Sequence, residues 1–88
     1  MTETMQTVKD FILKTFLPGE DPSALTETTP LITSGILDSL ATLDLVAFLE
    51  KQYGLEFSAN EVDVSRLGTL TDIARIVETK RAASGKGA

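Results

Sequence analysis

Hydrophobic residues along the chain fall into three stretches of helical spacing, separated by segments with no sustained period. From Thr4 to Phe16 the apolar residues Met5, Val8, Ile12 and Phe16 recur at steps of three and four, which places them on one helix face. Pro18-Gly19 ends that helix. The segment from Ser39 to Tyr53 carries the strongest helical pattern, with Asp38 placed as N-cap and Gly54 as the C-terminal stop. Thr69 to Lys80 forms the last helix, capped by Thr69, with Asp72 in its first turn and Leu70, Ile73, Ile76 and Val77 on one face. Lys80 and Arg81 are expected to close its C-terminal end against the negative pole of the helix dipole.

The segments between the helices differ in kind. Leu17 to Leu37 holds Pro18, Pro22 and Pro30 among several Ser and Thr, and it is too long to be a mere connector. It also carries Leu25, Leu31, Ile32, Ile36 and Leu37, so it is expected to lie pinned on the core. After Gly54, Ser58-Ala59-Asn60-Glu61 reads as a capping box that opens a short helical turn, with Val62 and Val64 available to pack inward. No strand pattern longer than Leu55-Glu56-Phe57 is present. The fold class is therefore all-α: a small four-helix bundle of three main helices and a short third helix, with a long first loop. Residues 1–81 form one domain, and 82–88, small and glycine-rich, form a flexible C-terminal tail.

The second helix has two apolar sides. At about 100° per residue, Leu45, Val46, Leu49 and Tyr53 share one arc, while Leu40, Leu43 and Ala47 fall opposite them. So small a bundle can seldom bury both, and an exposed apolar stripe flanked by Asp44 and Lys51 marks a partner surface. Alternatively, the long loop folds over Leu40 and Leu43. Ser39 stands at the head of the same stripe, where the N–H groups and positive dipole end of a helix favour an esterified phosphate. On these residues alone a purely capping role for Asp38 and Ser39 is the commoner arrangement, because Asp and Ser are frequent at helix starts.

Composition narrows the function further. Eighty-eight residues leave little room for a deep catalytic cleft. The net charge of −5 and the scattered Lys and Arg argue against nucleic acid as partner. No apolar run approaches the roughly twenty residues of a membrane span, and Met1 to Gln6 lacks a signal-peptide layout. The chain reads as a soluble, cytoplasmic monomer. It contains no His and no Cys, so it lacks the usual base for a serine nucleophile and the usual ligands for a transition metal. No catalytic residue and no metal site is expected.

The run from Thr29 to Leu40, Thr-Pro-Leu-Ile-Thr-Ser-Gly-Ile-Leu-Asp-Ser-Leu, resembles the attachment-site region of acyl and peptidyl carrier proteins, whose signature is Asp-Ser-Leu at the head of the second helix. The resemblance extends from Met5 to about Lys80. It implies a carrier whose Ser39 hydroxyl is converted to a phosphodiester of 4'-phosphopantetheine, from coenzyme A, by a phosphopantetheinyl transferase with magnesium. The arm ends in a thiol, so a chain without cysteine can hold cargo as a thioester. In the family the aspartate matching Asp38 serves transferase recognition and the leucine matching Leu40 contacts partner enzymes.

With the faces derived above, the expected partner-binding set is Leu40, Leu43, Asp44, Ala47 and Glu50. From Asp38 to Tyr53 only Asp38, Asp44 and Glu50 are acidic, fewer than in fatty-acid carriers, and Ile36-Leu37 stands where many peptidyl carriers have Gly-Gly. The pattern looks more like free-standing carriers that pair with an acyl- or aminoacyl-adenylating ligase and with downstream condensing or transferring enzymes. A fatty-acid carrier, an unmodified helical interaction module and a small hydrolase using Ser39 are the competing readings.

Overall fold

The computed structural model describes residues 2–62 and 64–85. Its helices are α1 (Glu3–Phe16), α2 (Ser39–Tyr53), α3 (Val64–Leu67) and α4 (Leu70–Gly85), with 3₁₀ turns at Pro22–Ala24 and Ala59–Glu61. No strand occurs among the described residues, in agreement with the all-α expectation.

Helix α1 is capped by Thr2, whose hydroxyl accepts the Met5 N–H at 3.1 Å, and begins at Glu3, one residue ahead of the expected start. Val8 and Ile12 are its fully buried apolar contacts, whereas Met5 and Phe16 are only half-buried. Thr4 is buried as well, and its hydroxyl donates to the Glu78 carboxylate of α4. Beside the core, Phe11 stacks on Phe48 of α2 with ring centroids 4.1 Å apart and meets Phe16 edge-on at 5.7 Å. Such ring pairs add to the area they bury.

The long first loop is pinned as expected. Leu25, Leu31 and Leu37 are at most 1% exposed, and each such burial stabilises the fold by about 1.5–3 kcal/mol before entropy. Backbone bonds complete the attachment: Leu31 N–H donates to the Gly68 carbonyl at 2.7 Å, Leu37 N–H to the Leu31 carbonyl at 2.8 Å, and Thr71 N–H to the Glu27 carbonyl at 3.1 Å. The loop also contains a 3₁₀ turn that periodicity did not indicate, set by Asp21, whose carboxylate accepts from the N–H and hydroxyl of Ser23.

Helix α2 has the predicted bounds. The Asp38 carboxylate accepts the Ala41 N–H at 2.8 Å, and Gly54 ends the helix at φ 67°, a left-handed conformation that glycine adopts without steric cost. The short helical turn expected after α2 is present, and a further short helix accompanies it. The capping box from Ser58 to Glu61 forms and opens a 3₁₀ turn, and a separate four-residue helix, α3, follows it. Val62 is half-buried, while the side chain of Val64 lies outside the described residues.

Helix α4 begins after Thr69, as expected, but runs five residues beyond Lys80 into the stretch read as a tail. Lys80 and Arg81 consequently lie inside the helix and not in its last turn. Leu70, Ile73 and Val77 are fully buried, and Ile76 is half-buried.

Candidate functional site: the head of helix α2

The site is built on the point where the first loop turns into α2. Gly35 takes φ 89°, a value that side chains with a Cβ rarely tolerate, and Leu37 then drops into the core. The next residue, Asp38, is held twice: its carboxylate caps Ala41, and its carbonyl accepts both the N–H and the hydroxyl of Thr42, each at 2.8 Å. This fixes the backbone on either side of Ser39, whose side chain stays exposed.

Beside Ser39 opens a cleft of about 580 Å³, also lined by Asp38, Gly35 and Thr42. Ile32, Leu37, Leu43 and Val62 form its apolar wall. The cleft thus joins the first loop, the head of α2 and the segment that follows α2.

The two sides of α2 separate cleanly. Leu45 and Leu49 are fully buried and Val46 nearly so, whereas Leu40 is 74% and Leu43 59% exposed. The loop therefore does not fold over them. Ala47 and Asp44 are exposed alongside. Glu50 differs: it is half-buried, and its carboxylate accepts the Phe57 N–H at 2.9 Å.

Charge is unevenly distributed along the chain. Between Lys14 and Lys51 the chain carries Glu20, Asp21, Glu27, Asp38, Asp44 and Glu50 and no basic residue. That segment holds −6, and the remainder, eight bases against seven acids, holds +1. The asymmetry spans the first loop and α2 together and exceeds what the three acids from Asp38 to Tyr53 indicate.

The segment after α2 is held by charge. Lys80 Nζ donates to the Glu56 carbonyl at 2.8 Å, pairs with Glu61 at 2.9 Å and lies 5.1 Å from the Phe57 ring centroid. The Ser58 N–H and the Lys80 ammonium hold the Glu61 carboxyl down at about 2, against an ordinary 4.5.

Residues 12–77 match the family model described as "Phosphopantetheine attachment site". The chain belongs to this family of carrier proteins. Its prosthetic group is accordingly 4'-phosphopantetheine, and it is a non-catalytic carrier that interacts with phosphopantetheinyl transferase and with the enzymes of its pathway. Membership sets aside the hydrolase and the unmodified interaction module.

No curated protein matches the chain. Among solved structures, a chain of one described as "Crystal structure of FAD-dependent dehydrogenase" is similar at a TM-score of 0.72 and 30% identity, over 80% of this carrier and 97% of that chain. Among the described residues of the carrier, no group of acidic side chains is placed to hold a metal ion, and no helix is long and apolar enough to cross a membrane.

Proposed function

We propose that Ser39 is the residue that bears the phosphopantetheine arm, and that the carrier delivers acyl or aminoacyl thioesters in a specialised pathway after loading by an adenylating ligase. The observation that carries the assignment is an exposed serine hydroxyl at the N-terminus of a long helix, beside a partly apolar cleft. The residues present fit the group. The helix N-terminus favours the phosphodiester, Ile32, Leu43 and Val62 offer apolar contact to the arm, and Asp38 is exposed next to the hydroxyl for recognition by the transferase. When attached, the arm supplies the thiol that this cysteine-free chain lacks. The chain's own residues orient the serine and present a docking surface. Leu40, Leu43 and Ala47 form its apolar centre and Asp44 its acidic rim, whereas Glu50, expected in that rim, turns its carboxylate to the Phe57 N–H.

The likeness to a chain described under an FAD-dependent dehydrogenase supports an enzyme of that class among the downstream partners, acting on the carried group. The carrier itself does not have the strand-turn-helix cradle that a dinucleotide cofactor needs, since no strand is present among its described residues.

Intact mass after incubation with a promiscuous phosphopantetheinyl transferase and coenzyme A tests the assignment. The parent is expected to gain one phosphopantetheinyl group and Ser39→Ala none, with the fold retained. A gain in Ser39→Ala would refute the attachment residue.

A further inference from the structure

The segment from Leu55 to Val62 poses a physical question. It contains one 3₁₀ turn, and only Leu55 is buried in the core, with Phe57 and Val62 half-buried. Yet it forms a wall of the cleft beside Ser39 through Val62. Apolar burial of this kind does not by itself fix a wall.

Two charged side chains reach the segment, one from α2 and one from α4. From α2, Glu50 accepts the Phe57 N–H at 2.9 Å. From α4, Lys80 grips the Glu56 carbonyl at 2.8 Å and the Glu61 carboxylate at 2.9 Å, and Glu61 in turn accepts the Ser58 N–H at 2.8 Å. The Lys80 and Glu61 side chains are only 21% and 26% exposed, so these charge-assisted bonds are less screened than ordinary surface pairs. Consecutive backbone groups, the Glu56 carbonyl and the Phe57 and Ser58 N–H groups, are thus each bound by a charged side chain or its partner.

We propose that Glu50 and Lys80 are positioning residues which clamp this segment between α2 and α4 and hold Val62 as the wall of the attachment cleft. The clamp keeps the surface around Ser39 in the form that the transferase and later partners dock to. Glu50 then acts through its inward-facing oxygen as a hydrogen-bond acceptor, and its negative charge is secondary. The inference rests on Ser39 as the loaded residue.

The test uses the full-length apo chain with a phosphopantetheinyl transferase and coenzyme A, comparing the parent with Glu50→Ala, Glu50→Gln and Lys80→Met. Glutamine keeps an acceptor oxygen for the Phe57 N–H but removes the charge. Methionine keeps much of the lysine stem without the ammonium. Amide exchange at Phe57 and Ser58 is expected to quicken about tenfold in Glu50→Ala and Lys80→Met, as for loss of one hydrogen bond. Their KM for the carrier is expected to rise about three- to tenfold with kcat unchanged, because docking must now reorder the wall. Glu50→Gln is expected to restore parental exchange and KM.

Three outcomes would overturn the clamp: faster exchange with unaltered KM, which makes the contacts merely structural; a KM defect in Glu50→Gln equal to that of Glu50→Ala, which makes Glu50 a charge contact of the partner; or parental exchange in both Glu50→Ala and Lys80→Met. A parent chain that gains no mass would instead overturn the Ser39 assignment, and the inference with it.

Discussion

Helix α2 sets two apolar faces of similar composition side by side. On one, Leu45 and Leu49 are fully buried, with Ala41 and Val46 8% exposed. On the other, Leu40 and Leu43 are left 74% and 59% exposed, beside Ala47 and the exposed hydroxyl of Ser39. The hydrophobic effect explains the first face completely. It opposes the second, because leucines left in water contribute nothing to the fold that a polar residue would not. The difference separates what the bundle needs to fold from what it leaves in water, and it is the ground for proposing recognition on the arc that also carries the serine.

Substitutions on the two faces break this comparison in opposite ways. Leu49→Ala is expected to show the largest effect on stability, a loss of roughly 2 to 5 kcal/mol, as for truncation of a buried leucine; chemical denaturation measures it, and a midpoint equal to the parent's would show that the core arc is misplaced. Ala47→Glu is expected to leave the unfolding midpoint nearly unchanged while sharply impairing transfer to and from the partner enzyme, read by steady-state kinetics. Asp44→Asn is expected to cost less than Ala47→Glu, with only moderate weakening on added salt, because rim charges govern mainly encounter rate. A large loss for Asp44→Asn with none for Ala47→Glu would mean that charge leads the interface, and would undercut the specialised-pathway reading.

The smallest effect concerns acid. The Glu61 carboxyl, held down at about 2 from 4.5 by the Ser58 N–H and the Lys80 ammonium, stays ionised in the folded chain where the unfolded chain takes up a proton. Its contribution is therefore complete above the unfolded value of 4.5 and is lost as the pH falls toward about 2. Denaturation of the parent and Glu61→Gln across that window is expected to show the parent losing its advantage as acid is added. A parent advantage that grows on acidification would contradict the origin of the shift.

Much of this organisation was legible in the chain. Helix α2 was readable at both ends because its boundaries are local chemistry: Asp38 caps Ala41, and Gly54 takes a left-handed turn. Ser39 stands out in the sequence because it lies between the cap residue Asp38 and the exposed Leu40, and its role as the attachment residue is a proposal. The 3₁₀ turn at Pro22–Ala24 and helix α3 are shorter than a helical period can reveal. The extension of α4 past Lys80 runs through Arg81, Ala82 and Ala83, all exposed, so it has no apolar face to betray it. Nor does spacing predict that Lys80 reaches back to Glu56 and Glu61, or Glu50 forward to Phe57, since such contacts depend on how the helices come together.

The central claim, that Ser39 bears the arm, is tested most directly by peptide mapping of the transferase-treated chain with fragmentation that retains the modification. The phosphopantetheinyl mass is expected on Ser39 and on no other Ser or Thr. Its placement on Ser34, Thr42 or any other hydroxyl would contradict the account, because the exposed helix N-terminus flanked by Asp38 and Leu40 would then not be what selects the attachment site.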